Sequence, residues 1–374
     1  MTDRTMTNLT STRSGLRARW FNRRRFMMAA AAAGAALTLP GRADARPTAN
    51  GRLSLLVRQD LLPVSIVNDF ARQTGIEVRL TQVANDEELL FKLRASDGRG
   101  FDLLSAEAHR AEEWLSRDLL ASLKSDLLPV DSIAPSLLTR ISGFSSRGET
   151  RFAPILVTRE GLVWNADLWQ PNHPDGGAPS YGDLWVPGSE GRIMGQPLTL
   201  LVGIGLFLDR IGEVPSNRLL DTFQDEGSMR GLFQKIVDYG LEHRDAVRQF
   251  WAGSEDQQNA LLQNGVVLGQ GWDGPANRMA AGGNPIRFEA PREGALGSLA
   301  GLALSTRAEN IAEAEAFIRH LYQPDVNIRL SEQTGYQSVM EGQGKTTGDL
   351  WVWPPVPSWY ARELAGFRDR FLAG

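Results

Sequence analysis

Leu53-Ser54-Leu55-Leu56-Val57 is the kind of short, mostly apolar run that forms a buried strand, and it opens a regular alternation of patterns. Apolar residues at helical spacing follow over Pro63–Gln73, and Ile76–Leu80 then alternates as a second strand. Asp86–Ala95 is predicted to be a helix and Phe101–Leu104 a third strand. Alternating strands and helices predict a parallel sheet with helices on its faces. The segment therefore predicts an α/β fold.

The same alternation returns later in the chain. Gly265–Gly269 is predicted to be a strand, and Ala308–Tyr322 a helix. Trp169–Ser189 is rich in Pro, Gly and Asp, which is typical of loops. We predict a last helix over Trp359–Phe371 and expect Trp351-Val352-Trp353 to pack beside it.

The first 45 residues have the pattern of an export signal. Arg23-Arg24 are followed by Arg25 and by the apolar pair Phe26-Met27, then by an uncharged run from Ala29 to Pro40 and by Ala43-Asp44-Ala45. This order is typical of a twin-arginine signal peptide with a small-residue cleavage site, and it predicts removal of residues 1–45. A basic tail ahead of a short core helix is the alternative. The prediction makes the twin-arginine translocase a partner during export and places the mature protein in the periplasm.

Composition limits the classes of function. The whole chain carries a net charge of −4, and residues 46–374 carry −10 because the signal holds eight arginines and two aspartates. Such an acidic chain argues against nucleic acid and anionic membranes as partners, since both are bound by clustered Lys and Arg. The chain has no cysteine, which excludes disulfides, thiol catalysis and a lipid-bearing cysteine. We therefore expect a soluble exported protein without a lipid anchor. The length of residues 46–374 predicts two domains.

Motifs for catalysis are weak or missing. Gly269-Gln270-Gly271-Trp272-Asp273-Gly274 matches G-x-G-x-x-G, but a bulky Trp occupies the turn and Pro275 follows directly, so we interpret the glycines as a sharp backbone turn. The four histidines, His109, His173, His243 and His320, are far apart and do not form a metal pair. No Gly-x-Ser-x-Gly elbow is present. We expect no catalytic residue, no metal site and no cofactor. An exported carbohydrate-active or other hydrolytic enzyme using cleft carboxylates stays open as the alternative.

A series of short landmarks in a fixed order carries a family resemblance. It runs from Leu55 to Tyr336 and includes Phe70-Ala71-Arg72-Gln73-Thr74-Gly75, Gly161-Leu162-Val163-Trp164-Asn165, Gly271-Trp272 and Gln323-Pro324-Asp325-Val326. In these landmarks the chain resembles extracellular solute-binding proteins of the spermidine/putrescine-binding type, the soluble receptors of ATP-driven (ABC) importers. The resemblance implies a receptor, not an enzyme, that delivers a small solute to transmembrane permease subunits. We expect it to act as a monomer.

The resemblance also implies a two-lobed periplasmic-binding-protein fold of type II-like topology, with a ligand cleft between the lobes. We expect residues 46–155 and 273–325 to form lobe one. Residues 156–272 and 326–374 are expected to form lobe two. Closure of two lobes around a ligand buries the ligand from both sides and creates a surface that a partner can recognise.

The resemblance further implies which residues face the ligand. We expect ligand contacts from the first cleft loop, from the segment after the third strand, and from the residues near the lobe crossings. These are Arg58, Gln59, Asp60, Glu107, His109, Arg159, Trp272, Tyr336 and Gln337.

The predicted cleft departs from the pattern of polyamine receptors. Arg58 and Leu61 stand where the family has aromatic residues, and Gln196–Thr199 replaces an expected acidic motif. A second ammonium group would therefore be left unpaired in a desolvated cleft, which is costly. We predict weak binding of polyamines and better binding of a zwitterionic or mixed-charge solute whose anionic end meets Arg58 or Arg159.

Overall fold

The computed structural model describes residues 51–133, 137, 145–146, 149–171, 177–340, 350–354 and 356–374. The predicted signal peptide, residues 1–45, and His173 lie outside the described residues.

The strands and helices alternate along the chain as the sequence predicts. The strands are β1 (Arg52–Arg58), β2 (Glu77–Val83), β3 (Leu103–Glu107), β4 (Ser145–Ser146), β5 (Glu149–Thr150), β6 (Ala153–Asn165), β7 (Ile193–Gly195), β8 (Val247–Phe250), β9 (Leu268–Trp272), β10 (Ile286–Glu289), β11 (Ala295–Leu304), β12 (Gln337–Ser338) and β13 (Leu350–Val352). The α-helices are α1 (Val64–Thr74), α2 (Asp86–Ala95), α3 (Ala111–Leu115), α4 (Pro197–Arg210), α5 (Glu226–Glu242), α6 (Ser254–Leu262), α7 (Asp273–Ala281), α8 (Ile311–Leu321), α9 (Pro324–Thr334) and α10 (Ser358–Ala373).

Local sequence explains where the first helices begin and end. Helix α1 stops at Gly75, whose φ of 74° lies in the left-handed region that favours glycine. Helix α2 begins after Asn85, whose side-chain oxygen accepts a hydrogen bond from the backbone N–H of Glu88 at 2.9 Å. Strand β1 pairs in parallel with both β2 and β3, as predicted.

Eight strands form a curled sheet in the order β2-β1-β3-β11-β6-β9-β7-β8; β10 and β12 also pair with β6, β13 pairs with β11, and β4 and β5 form a separate two-stranded sheet. Strand β6 is the longest, with 13 residues, and its first half pairs with β11 while its second half pairs with β9 and β10. Strands β6 and β11 are antiparallel. They lie side by side in the middle of the sheet, between β3 on one side and β9 on the other.

The hydrophobic cores divide along these two strands. In β6, Ile155–Val157 pack in a first core with β1 and β3, whereas Leu162 and Trp164 pack in a second core with α4, α5 and α10. In β11, Leu296 belongs to the second core, and Leu299–Leu304 belong to the first. The chain thus forms two lobes that meet at Thr158–Gly161 of β6 and at Gly297–Ser298 of β11. This is the two-lobed α/β fold that the sequence predicts.

Two segments pack differently from the expected lobe boundaries. Ala276, Met279 and Ile286 pack in a third, smaller core with Val163, on the side of the second lobe. Residues from Val326 to Met340 pack in the first core.

The G-x-G-x-x-G glycines do not form the sharp turn that we expected. Gly269 and Gly271 lie in β9, and neither has a positive φ. A Cβ on Gly269 would lie 2.3 Å from Met194 Cγ, and one on Gly271 would lie 3.0 Å from Gln257 Cδ. These glycines therefore serve close packing.

Candidate functional site

A polar cavity of about 650 Å³ lies where β6 and β11 cross between the lobes. Its volume is within the range of small-molecule sites, about 300–1,000 Å³. Both lobes contribute side chains, and five arginines and five Asp or Glu residues are among those lining it: Arg58, Arg110, Arg117, Arg159 and Arg368, with Asp86, Glu87, Glu107, Glu113 and Glu160. We refer to this cavity as the cleft.

Arg58 ends β1 and is almost fully enclosed, with 3% of its surface exposed. Its Nε donates to Asp60 Oδ1 at 3.1 Å, its Nη2 donates to Asp60 Oδ2 at 2.9 Å, and its Nη1 donates to Glu107. The guanidinium carbon also lies 4.7 Å from the centre of the Trp272 ring. Burial alone would lower the pKa of Arg58, but Asp60 and Glu107 raise it above its ordinary value. Each of the three guanidinium nitrogens of Arg58 therefore already donates to a buried carboxylate.

Asp60 lies behind Arg58, with a side chain that has no solvent exposure. The Tyr336 hydroxyl donates to Asp60 Oδ2 at 2.7 Å. Neither residue lines the cleft. Gln59 and Gln337 do not line it either.

Glu160 faces the cleft from the crossing segment of β6 and is only 5% exposed. Its carboxylate accepts hydrogen bonds from the Thr199 hydroxyl and, at 3.1 Å, from Gln270 Nε2. Within the part of the chain that the structure describes, no Lys or Arg forms an ion pair with Glu160. Burial raises the pKa of Glu160 from 4.5 to about 7, although the hydrogen bonds from Thr199 and Gln270 oppose that rise. The carboxylate has hydrogen bonds but no opposite charge beside it, so it can pair with a positively charged group of a ligand.

Arg159, the neighbour of Glu160, also lines the cleft and keeps 23% of its side chain exposed. Its Nε donates to Asp273 Oδ2 at 2.7 Å, and its backbone N–H donates to the other oxygen of Asp273 at 3.1 Å. Among the described residues, no acceptor engages the two terminal nitrogens. Those nitrogens can therefore donate to an anion in the cleft.

His109 and Trp353 form one wall of the cleft. Their rings stack with centroids 5.6 Å apart, and His109 Nδ1 lies 2.9 Å from the Ser298 hydroxyl. His109 follows β3 in the first lobe, whereas Trp353 follows β13 and packs against the second core. The pair thus connects the lobes across the cleft.

The structure brings five of the nine predicted residues to the cleft: Arg58, Glu107, His109, Arg159 and Trp272. Among the lining residues that the prediction missed are Glu160, Thr199, Asp86 and Trp353. Glu160 had a signal in the sequence, because it belongs to the short polar segment Thr158-Arg159-Glu160 between two apolar runs of β6. Throughout the described ranges, no three His, Asp or Glu side chains come together as a site for a metal ion.

Comparisons with known proteins agree with this architecture. A family model described as bacterial extracellular solute-binding protein matches residues 65–347. The spermidine/putrescine-binding periplasmic protein 1 of Haemophilus influenzae is 22% identical over 297 residues, which cover 79% of this chain and 77% of that protein. The putrescine-binding periplasmic protein PotF of Escherichia coli is 26% identical over 288 residues, which cover 74% and 75% of the two chains.

A solved structure shows the same fold. The substrate-binding protein PotD of a spermidine/putrescine ABC transporter from Streptococcus pneumoniae superposes with a TM-score of 0.67 and 17% identity, covering 86% of this chain and 98% of that chain. Because the family model matches about three quarters of the sequence, the assignment does not depend on the fold alone. The chain belongs to the family of bacterial extracellular solute-binding proteins.

Proposed function

We propose that this substrate-binding receptor of an ABC importer captures a small solute that carries one cationic and one anionic group. The observation that carries the proposal is Glu160, a buried carboxylate that faces the cleft without a basic partner among the described residues. A ligand ammonium would supply the missing charge, and a charge-assisted hydrogen bond of this type is stronger than a neutral one.

Arg159 is the proposed partner of the anionic end. Its Nε is bound to Asp273, but its two terminal nitrogens have no acceptor among the described residues and match the two oxygens of a carboxylate. Of the two arginines that the sequence suggested for this role, Arg58 is the weaker choice because it is buried and its charge is already paired with Asp60 and Glu107. The walls formed by Trp272 and by the stacked pair of His109 and Trp353 would enclose the body of the solute.

The remaining roles follow from the family and from the sequence. Members of the family present the closed, ligand-bound form to permease subunits, and we propose the same for this protein as a monomer. The signal pattern in residues 1–45 supports export through the twin-arginine translocase into the periplasm, and none of the described helices is long and apolar enough to span a bilayer.

We also propose that the described residues of 51–157 and 299–340 form one rigid lobe and those of 162–296 and 350–374 the other, because the buried residues of each set pack together in hydrophobic cores.

A thermal-shift screen tests the choice of ligand. The panel contains spermidine, putrescine, amino acids, opines, organic acids and short sugars, each added to the purified mature chain. Binding to the folded state raises the melting temperature with occupancy, so we expect amino acids or opines to stabilise the protein. Polyamines should do so weakly, because the cleft leaves a second ammonium unpaired.

Glu160→Gln is the matched variant, since it keeps the shape and removes the charge. It should lose the response to mixed-charge compounds. Stabilisation of the wild type by polyamines alone would contradict the proposed ligand class, and conversion of a bound compound into a product would contradict the receptor role.

A further inference from the structure

Beside the cleft, a small pocket that would suit a ligand cation is filled by the protein's own arginine. Asp60, Glu107 and the face of Trp272 form this pocket, which we name the Arg58 pocket. The guanidinium has a bidentate contact with Asp60, at 3.1 and 2.9 Å, and a further bond to Glu107. Its central carbon lies 4.7 Å from the Trp272 ring centre. With 3% of Arg58 exposed, the pocket has no room for another group.

The chemistry of the pocket does not depend on which molecule supplies the cation. An aromatic face attracts any desolvated cation, and carboxylates bind both ammonium and guanidinium groups through charge-assisted hydrogen bonds. We propose that Arg58 is a built-in cation that closes this pocket to ligand cations and so limits the positive charge of the solute that the receptor accepts. This inference rests on the proposed function, because it takes the cleft to be the ligand site.

The position of Trp272 links the Arg58 pocket to the free carboxylate. One face of the indole covers Arg58, and the Trp272 side chain is also a hydrogen-bond partner of Glu160. Arg58 therefore lies over the face of the Trp272 ring, and Glu160 lies near the edge of the same ring. If Arg58 lost its guanidinium, a diamine held at Glu160 could extend its second ammonium into the vacated space between Asp60 and Glu107.

The test is a gain of diamine binding in Arg58→Ala, measured with putrescine by calorimetry. We expect the variant to bind putrescine at least tenfold more tightly than the wild type. Arg117→Ala is the matched control, because Arg117 also lines the cleft but is 44% exposed and lies 3.8 Å from its partner Glu113. That control should bind putrescine no better than the wild type. Combining Arg58→Ala with Asp60→Asn should cancel the gain, whereas a purely structural arginine would change stability without changing ligand preference.

An unchanged putrescine affinity in folded Arg58→Ala would overturn the inference. If Arg58→Ala does not fold alone, methylguanidinium, which replaces the lost group, and putrescine must each restore the circular dichroism of the folded state. Failure of putrescine to do so would equally overturn it. The proposed function fails on a different result, namely the absence of any mixed-charge solute that stabilises the wild type, so the two failures are distinguishable.

Discussion

Glu160 is deeply buried and has no basic partner in the described parts of the chain. Ionisation of Glu160 therefore destabilises the folded state, and the free energy of unfolding depends on pH. Burial raises the pKa of Glu160 from 4.5 to about 7. The folded state therefore keeps the proton over a range in which the unfolded chain releases it. Because the folded state binds more protons there, the free energy of unfolding falls as the pH rises from about 5 to about 7.5.

The corresponding prediction compares the ligand-free wild type with Glu160→Gln between pH 5 and pH 8. We expect the wild type to lose roughly 3 kcal/mol more unfolding free energy than the variant over this range, as a shift of this size implies. Urea denaturation at several pH values measures the difference. Asp86 and Asp273, whose pKa values burial also raises, titrate in both proteins and cancel in the comparison. If the unfolding free energies of the wild type and Glu160→Gln changed with pH in parallel, the raised pKa of Glu160 would be contradicted.

Tyr336 supports the Arg58 pocket from behind. Its hydroxyl donates to Asp60 at 2.7 Å, and both groups are buried. Tyr336→Phe leaves one Asp60 oxygen with fewer donors, so we expect a loss of about 1–3 kcal/mol in unfolding free energy. Affinity for a solute in the cleft should change little, because Tyr336 does not line the cleft. A folded variant with full stability, measured by urea denaturation, would argue against this support.

The sequence predicted the residues of the site better than their roles. Arg58 and Asp60 were both expected to face the ligand, but they bind each other, since the chain after β1 turns Asp60 inward. Sequence spacing does not determine the direction of a side chain after the last residue of a strand. Trp353 was expected to pack beside the last helix, and its second contact, with His109, joins residues that are far apart in the sequence.

At the scale of single elements, β11 depends on the absence of a side chain at Gly301. A Cβ there would lie 2.0 Å from the Ala153 carbonyl oxygen of β6, at the point where the register between the two strands shifts. We expect Gly301→Ala to destabilise the protein by several kcal/mol, because the clash is with backbone that cannot move without breaking the sheet. The measurement is the midpoint of urea denaturation.

A second glycine provides the control for Gly301. Gly231 lies inside helix α5, and a Cβ there would have no neighbour within 4 Å. Gly231→Ala should therefore stabilise the protein by about 0.5–1 kcal/mol. Equal effects of the two substitutions would contradict the described packing of β6 against β11.

Element boundaries were predictable where local signals act alone. Helix α2 begins at the predicted residue because Asn85 caps it, and it ends at Ala95 as predicted. The strand expected at Gly265–Gly269 instead spans Leu268–Trp272, since Gly265 adopts a φ of 73° and belongs to the preceding turn. A run of small and apolar residues does not by itself reveal where that turn ends and pairing with β6 begins.

At the scale of the whole molecule, the crossing of β6 and β11 makes closure the expected response to ligand. The segments Thr158–Gly161 and Gly297–Ser298 lie between the cores and can absorb the change in angle between the lobes. The lobes also meet at the rim, where Asn85 Nδ2 donates to the Ala252 carbonyl at 3.3 Å. We expect X-ray scattering to give a smaller radius of gyration when the most stabilising compound of the panel is added. Identical scattering curves with and without a bound compound would contradict closure.

The central claim is that Glu160 holds the cationic group of a mixed-charge solute in this cleft. Calorimetric titration of the most stabilising amino acid or opine into the wild type and into Glu160→Gln tests it most directly. The account predicts one bound molecule per chain in the wild type and an affinity at least tenfold lower, about 1.4 kcal/mol, in the variant. Equal affinity of the two folded proteins for that compound would contradict the account.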